Sequence, residues 1–408
     1  MNTIDKICDK LIKIEEYVVY LTYGLIMLCE MSRYFQEPLK TYFAVVYRYA
    51  GVFAVLLAIA RIILFIGKSP KYSIISFVTL IAAFILNYYI DSKYWIFYTA
   101  ALIIATYKIS FENIIITYLS AQGIPFAIKC IGAALGVFAN TIETEGVRRM
   151  RMDLGFTHHN TGINYFFFLA MAIIYLLYDR VNKLVLLTVI TVVSGLLFIA
   201  TDSITGTVCV LFLVACLGVN LVLERFKFSK IRALYEKIIG IGGICASPGC
   251  IIITIAGVLY SNYYMYINNY EAQVNTFMGR FVALSYNITM NGITIPWELN
   301  FVGREPNTRF NYITGGMVGE IDDNGYGSLF INYGVVVFTA FVVFMLWWGI
   351  KAYKNKQFVL SLLQIVFALQ LLMEGVGSRY GWNPFLLLPL TINELTKNEQ
   401  NRDINVNI

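Results

Sequence analysis

Long, uninterrupted apolar runs dominate this chain. Of its 408 residues, 58% are apolar and only 14% are charged, whereas soluble domains are about 25% charged. So much apolar surface cannot all be buried in one globular core of this size, and lipid must serve as a second apolar solvent. In lipid the backbone has to satisfy its own hydrogen bonds, which leaves helices or closed barrels. Because the runs are continuous and do not alternate in polarity, they favour helices.

We therefore predict an all-α, polytopic integral membrane protein with about twelve transmembrane helices and one large external loop. The predicted spans run near 17–34, 42–66, 73–90, 94–107, 112–139, 161–178, 184–201, 205–223, 236–260, 327–350, 357–375 and 383–394, the fourth and last being short. Gly123 and Pro125 should kink the fifth span, and Pro248 the ninth. We expect the first run to remain as a permanent span, because no small-residue cleavage pattern follows it.

These spans divide the chain into three parts. Residues 1–260 hold transmembrane helices one to nine, 261–326 form a large extracytoplasmic loop, and 327–408 hold helices ten to twelve and a cytoplasmic tail. Within the loop, 271–290 could form an amphipathic helix on the membrane surface, with Phe277, Phe281 and Leu284 on one face.

The composition favours neither a metal site nor a cofactor. The seven cysteines lie mostly in or beside apolar runs and behave there as small apolar residues. With two histidines in the chain, no metal-ligand spacing is present. The net charge of +6 is explained by membrane topology, so we expect no nucleic-acid partner.

The kind of cation differs between the two predicted faces. Placing both termini in the cytoplasm puts most lysines inside, as the positive-inside rule requires. The cytoplasmic set is Lys6, Lys10, Lys13, Lys68, Lys71, Lys108, Arg180, Lys183, Arg225, Lys227, Lys230, Arg232, Lys237, Lys351, Lys354, Lys356, Lys397 and Arg402. The external set is mostly arginine: Arg33, Arg148, Arg149, Arg151, Arg280, Arg304, Arg309 and Arg379, with Lys40 and Lys93. One explanation is that insertion bias places lysine inside and leaves arginine outside. The alternative is an outward site for a phosphorylated or acidic ligand, because the planar guanidinium of arginine can bind phosphate or carboxylate through two hydrogen bonds.

Two external stretches hold residues suited to chemistry. The first, just before the sixth span, contains Arg148, Arg149 and Arg151 and then Gly155-Phe156-Thr157-His158-His159-Asn160. Histidine could carry a proton there, although Arg and His also serve as interfacial anchors. The neighbouring segment 201–207 has the composition of a tight turn and is predicted to be mostly structural.

The second stretch closes the large loop, with Asp322-Asp323-Asn324-Gly325-Tyr326 at the head of the tenth span. One acid could cap the helix, and an ionised carboxylate near substrate hydroxyls could act as a general base. Glu374, at the outer end of the eleventh span, should face the protein interior and pair, with Arg379 as a candidate partner. The partners of Arg61 and Lys129, which lie inside spans, cannot be named from the sequence.

On these residues the chain resembles the Wzy-type polymerases of bacterial capsular, exopolysaccharide and O-antigen synthesis, and more distantly the O-antigen ligases. Segment 155–160 looks like the family's Gly-Phe-x-His-Pro-Asn segment, with His159 in place of the proline. Gly279-Arg280 looks like the arginine early in the large loop. Asp323-Asn324-Gly325-Tyr326, followed by Leu329 and Gly334, looks like the segment that closes the loop, where ligases usually carry His in place of Asp323.

The resemblance implies a GT-C-like membrane glycosyltransferase that is independent of metal ions and uses no cofactor, with its active face on the outer side of the cytoplasmic membrane. It would move a growing glycan from polyprenyl pyrophosphate onto a lipid-linked repeat unit, with inversion. Its implied partners are a polyprenyl-pyrophosphate-linked oligosaccharide, membrane lipid, and a flippase and chain-length regulator of the same pathway. A ligase that uses a lipid or wall acceptor, a transporter of lipid-linked oligosaccharide and a scaffolding protein remain as alternatives.

The resemblance and the residue chemistry together nominate site residues. Asp323, His158 and Arg280 are the catalytic candidates, with Asp323 or His158 activating the acceptor hydroxyl. Pyrophosphate would be bound by Arg148, Arg151, Arg280 and Arg379. Substrate would be positioned by His159, Asn160, Asn324, Tyr326 and Glu374. We expect segment 155–160, Arg280 and Asp323 to converge on one external cavity that opens sideways to lipid.

Overall fold

A computed structural model describes most of the chain. The described residues are 3–32, 39–90, 95–138, 140, 142–143, 150–156, 159–267, 280–281, 284–285, 309–311, 316–318, 324–375 and 383–391. Of the predicted site residues, His158, Asp323, Arg148 and Arg379 lie outside this set.

The described residues are almost entirely helical, which confirms the all-α prediction. The α-helices are α1 (Thr3–Ser32), α2 (Leu39–Phe65), α3 (Pro70–Ile90), α4 (Trp95–Ala105), α5 (Phe111–Tyr118), α6 (Ile124–Ala134), α7 (His159–Leu177), α8 (Lys183–Thr201), α9 (Ile204–Arg225), α10 (Ser229–Ile267), α11 (Gly325–Lys354) and α12 (Phe358–Met373). A π-helical segment, Leu119–Gly123, joins α5 to α6, and a 3-10 helix covers Pro384–Leu390. Two short antiparallel pairs complete the described elements: β1 (Ile142–Glu143) with β2 (Arg151–Met152), and β3 (Arg309–Asn311) with β4 (Gly316–Val318).

Eight helices within the described residues are long and apolar enough to cross a membrane. They are Lys40–Phe65, Pro70–Tyr88, Phe111–Ala134, Asn160–Leu177, Lys183–Thr201, Ile204–Arg225, Ser229–Ser261 and Tyr333–Lys354. The chain is therefore a multi-pass, membrane-embedded protein.

The other four predicted spans take different forms. The first lies within α1, which begins at Thr3 and so includes a charged segment, while α4 and α12 are apolar but short, at 11 and 16 residues. The last, near 383–394, contains a seven-residue 3-10 helix. At about 2 Å per residue that helix is less than half as long as the hydrocarbon core is thick. Pro384 and Pro389 explain the form, since neither can donate a backbone hydrogen bond.

The irregularity predicted in the fifth span is present as a π-helical turn. It ends at Gly123, and Pro125 occupies the first turn of α6. Because proline cannot donate the hydrogen bond that a continuous α-helix needs there, the backbone widens over Leu119–Gly123. By contrast, α10 continues as one helix through Pro248.

The chain forms two compact units. Unit one is Met1–Ile85, Tyr94–Arg225 and Tyr380–Ile408; unit two is Leu86–Lys93 and Phe226–Arg379.

Unit two is built on three helices that pack against one another, α10, α11 and α12. Glycines allow the close approach: a Cβ on Gly349 would lie 2.9 Å from the Cα of Ile244 and 2.7 Å from Oε1 of Gln364. The buried Gln364 amide donates to the carbonyl oxygen of Met345, which ties α12 to α11.

A short segment from the predicted large loop packs onto this bundle. Phe281 and Leu284 are 1% and 2% exposed. A Cβ on Gly257 would lie 2.6 Å from the ring of Phe281, and one on Gly327 would lie 2.4 Å from Leu284, so both glycines make room for these side chains. Both residues lie against the bundle, Phe281 on α10 and Leu284 on α11. Phe277 is outside the described residues.

Helix α11 is broken near its start. Gly334 has φ 75° and ψ 175°, which lies outside helical space and is accessible almost only to glycine. The nine residues before it therefore form a separate helical segment, and nearly all of the apolar span Tyr333–Lys354 follows the break.

We expect Gly334→Ala to destabilise the protein by about 1–3 kcal/mol, the cost of a side chain in this backbone region. Thermal unfolding of the detergent-purified protein measures the effect. Gly195→Ala is the control, because a Cβ on this helical glycine meets open space, so the substitution should be neutral or stabilising by up to about 1 kcal/mol. Equal melting temperatures for the two variants would contradict the strained conformation at Gly334.

Candidate functional site

Arg280 lies at the end of α12. Its Nη1 donates a hydrogen bond to the carbonyl oxygen of Met373, the last residue of the helix, and its Nη2 lies 3.5 Å from Oε1 of Glu374. The side chains of Arg280 and Glu374 are 18% and 7% exposed. Carbonyls at a helix C-terminus lack helical partners and carry partial negative charge. The guanidinium therefore stabilises this end both as a hydrogen-bond donor and as a positive charge. Glu374 is thus buried and paired as predicted, but its described partner is Arg280, whereas the sequence suggested Arg379.

Asn324 supplies a second side chain to the same helix end. Its Nδ2 donates to the carbonyl oxygen of Leu372 at 2.9 Å and to Oγ1 of Thr254 at 3.2 Å. Its Oδ1 accepts from the backbone N–H of Gly327 at 2.8 Å. Asn324 is 1% exposed. The side-chain amide of Asn324 therefore caps the start of α11, donates a hydrogen bond to the end of α12 and contacts α10.

The absence of a side chain at Gly325 permits this junction. A Cβ there would lie 2.9 Å from the carbonyl oxygen of Glu374 and 3.0 Å from that of Leu371. Three of the predicted site residues consequently meet at the end of α12. Asn324 donates to Leu372, Arg280 donates to Met373, and Glu374 is the next residue in the chain.

Tyr326 points into the bundle. Its hydroxyl lies 3.3 Å from Oγ of Ser247 and donates at 3.5 Å to the carbonyl oxygen of Ala368. It is 2% exposed, and burial raises the pKa of its phenol. These contacts fix the first turn of α11 against α10 and α12, and the positioning of substrate by Tyr326 stays a prediction.

Unit one holds a second charged group. Arg151 lies in the hairpin strand β2, and its Nε is 3.8 Å from Oδ2 of Asp202. Asp202 ends α8 in a left-handed conformation, with φ 47°, and its side chain is 2% exposed. The pair joins the hairpin to the junction between α8 and α9, so segment 201–207 contributes a buried carboxylate as well as a turn.

The segment that leads into α7 is held by a tight turn. Oδ1 of Asp153 accepts from the N–H of Gly155 at 2.8 Å, and the Asp153 carbonyl accepts from the N–H of Phe156. Gly155 has φ 76°, which favours glycine, and Phe156 is 2% exposed. The turn therefore accounts for the glycine at 155, and burial accounts for the phenylalanine at 156. Asn160 lies in the first turn of α7 and is partly exposed, whereas the described structure covers only the backbone of His159.

Lys129 has aromatic surroundings. Its Nζ lies 5.5 Å from the ring centroid of Phe156 and 6.0 Å from that of Phe138, and the residue is 2% exposed. Aromatic faces attract cations at such distances. This explains how a lysine is accommodated inside α6.

The buried Arg61 also finds its partners. It forms an ion pair with Glu15 of α1, and its Nε donates to the carbonyl oxygen of Tyr107 at 2.9 Å. Arg61 and Glu15 are 1% and 8% exposed in their side chains. Removing one member of such a pair would leave an uncompensated buried charge, so this contact ties α1 to α2 and to the end of α4.

Sequence reasoning missed three contributors to these groups: Thr254, Asp202 and the main chain at 372–373. Asp202 was passed over because turn-forming composition describes a loop without revealing which cation faces it. Thr254 lies in an apolar run, where a threonine gives no signal. Carbonyl acceptors have no sequence signature at all.

Among the described residues, no group of three or more His, Cys, Asp or Glu side chains could hold a metal ion. The chain matches no protein-family model, no curated protein and no solved structure. Arg280 with Asn324 belongs to unit two and Arg151 to unit one, and their convergence on one cavity stays a prediction.

We expect Asn324→Asp to destabilise the protein by about 1–3 kcal/mol. Aspartate caps a helix as well as asparagine does, but a carboxylate cannot donate to the Leu372 carbonyl, which would be left buried without that donor. Asn182→Asp is the matched control, because Asn182 caps α8 through two accepted hydrogen bonds at an exposed position. It should change stability by less than about 0.5 kcal/mol. If both variants melt alike, Asn324 acts as a simple cap.

Proposed function

We propose that the chain is a membrane glycosyltransferase that polymerises lipid-linked sugar units, of the Wzy type that its sequence resembles. The observation that carries the proposal is the placement of Arg280. Its guanidinium is mostly buried, oriented by a main-chain carbonyl and by Glu374, and next to the Asn324 junction. A cation held in a fixed orientation can stabilise a developing phosphate charge without reorganising.

In the proposed reaction, a hydroxyl oxygen of the acceptor unit attacks the anomeric carbon of the donor's reducing-end sugar. The bond from that carbon to the pyrophosphate oxygen breaks, and polyprenyl pyrophosphate leaves with the electron pair. The hydroxyl proton passes to a base, for which Asp323 and His158 are the candidates. Arg280 takes up the negative charge of the leaving group, assisted by Arg148, Arg151 and Arg379.

Arginine suits this role better than lysine. Its guanidinium carries five N–H groups in a planar fork, and the contacts with Met373 and Glu374 use one N–H on each Nη. In the proposed complex the same planar fork donates hydrogen bonds to phosphate oxygens of the leaving group. Lysine could replace the charge at the helix end but could not reproduce that geometry.

Arg280→Ala is expected to reduce long-chain product by about 100-fold or more, the usual effect of removing one preorganised donor. The measurement is chain elongation by purified, reconstituted protein supplied with polyprenyl-pyrophosphate-linked repeat unit. Glu374→Gln should keep the hydrogen-bonded carbonyl contact and lose the charge pair, giving a smaller loss of product.

Arg280→Lys separates catalysis from helix capping. A lysine still places a cation at the end of α12, so the melting temperature should recover toward that of the native protein while chain elongation stays low. If Arg280→Lys recovers both, Arg280 is a structural residue and the assignment fails.

The same assay distinguishes the rival functions. A polymerase lengthens lipid-linked repeat unit supplied alone, whereas a ligase produces nothing until a second acceptor is added. A transporter would move labelled lipid-linked unit across a liposome membrane without making new glycosidic bonds.

A further inference from the structure

The end of unit two that lies opposite Arg280 is strongly basic. Helix α10 begins there, α11 ends there and α12 begins there, while Arg280 caps the other end of α12. The 16 residues of α12 separate the two ends by about 24 Å. We call this end the lysine surface; its cations are Lys227, Lys230, Arg232, Lys237, Lys351, Lys354 and Lys356.

Two stretches of chain meet to form the lysine surface. The ring centroids of Tyr235 and Phe358 are 5.8 Å apart. A Cβ on Gly240 would lie 2.7 Å from the ring of Tyr353, so α10 and α11 are in close contact beside the lysines. The cations at 227–237 and at 351–356 therefore share one surface although more than a hundred residues separate them.

Acidic residues do not balance this charge. In the two stretches 226–240 and 349–360 there is a single acid, Glu236, and it accepts a hydrogen bond from Nε of Arg232 at 2.8 Å. Among the described residues, no carboxylate lies within ion-pair distance of the exposed lysines at 227, 230, 237, 354 and 356.

Exposed apolar side chains accompany the lysines. Phe226 and Phe228 are 64% and 50% exposed, and their rings stack with centroids 6.1 Å apart on either side of Lys227. At the start of α10, residues Ile231, Leu234 and Ile238 are 56%, 58% and 57% exposed. Spacings of three and four place them in one stripe.

Lys230 and Lys237, seven residues apart, lie along the edge of that stripe. This is the arrangement in which apolar side chains enter the acyl region and lysines reach the headgroups above it. The length of the helix agrees, because the apolar stretch Ser229–Ser261 has 33 residues. It would extend about 50 Å, whereas the hydrocarbon core is about 30 Å thick, so its charged first turns reach the headgroup layer.

Helix stability does not explain these cations. Lys351 and Lys354 lie in the last turn of α11, where the helix dipole favours them. Lys227, Lys230 and Arg232, however, lie at the start of α10, where the same dipole disfavours positive charge. An anion at that helix start would offset the positive charge, and the phosphates of a lipid headgroup layer are of that kind.

We propose that the lysine surface is a binding site for anionic phospholipid headgroups, with the acyl chains packed along Phe226, Phe228 and the stripe on α10. Each lysine near an anionic membrane surface strengthens binding about fivefold. This site is independent of the proposed glycosyl transfer, which takes place at the other end of the bundle.

The test is the competition of spin-labelled phosphatidylglycerol and phosphatidylcholine for purified, full-length protein in phosphatidylcholine bilayers. The native protein should hold motionally restricted phosphatidylglycerol in preference, and 0.5 M salt should weaken the preference. Replacing Lys227, Lys230, Lys354 and Lys356 together by Gln should lower the preference at least threefold. Replacing the same four by Arg should preserve it.

The matched control removes four lysines elsewhere, Lys10, Lys13, Lys68 and Lys71 of unit one, and so changes the net charge equally. It should leave at least half of the preference in place. An equal loss in both Gln variants would mean that net charge, and no specific site, attracts the lipid, and would overturn the proposal. An unchanged preference in the first variant would overturn it too and would favour an acidic protein as the occupant. Melting temperatures show whether each variant is folded.

Discussion

Two main-chain carbonyls at the end of α12 organise one end of unit two. Those of Leu372 and Met373 lie in the last turn of the helix, where carbonyls in general lack intrahelical donors, and a bilayer core offers no water in their place. Their donors come from Asn324 and Arg280, which belong to distant parts of the chain. The need to satisfy a helix end thus determines where the head of α11 and the arginine of the large loop are held, and it brings the buried Glu374 to the guanidinium.

The two ends of this bundle use cations in different ways. Arg280 is mostly buried and engages a carbonyl and a carboxylate through a planar fork. At the opposite end the cations are chiefly lysines with exposed ammonium groups, and such point charges suit mobile phosphates at a membrane surface. In unit two, therefore, arginine and lysine are found at opposite ends of three packed helices: Arg280 at one end and most of the lysines at the other.

Glycine explains much of how these contacts are reached. Gly257 and Gly327 accept the side chains of Phe281 and Leu284, so the residues that follow Arg280 lie against the bundle. Gly334 takes a backbone conformation closed to other residues and separates the first turns of α11 from its apolar span. The sequence indicated that 271–290 could form an amphipathic helix on the membrane surface. Periodicity identifies an apolar face, but it does not say whether lipid or protein covers that face.

The sequence by itself determined that the chain is helical, multi-pass and embedded in a membrane, because hydropathy and the need for internal hydrogen bonds are local properties of each run. It also located the irregular turn before Pro125 and the burial of Glu374. Only the tertiary structure decided that Glu374 pairs with Arg280, 94 residues away, and that Asn324 donates to α12 as well as capping α11. Such pairings depend on which helices pack together, and main-chain acceptors and glycine contacts leave no mark in the pattern of side chains.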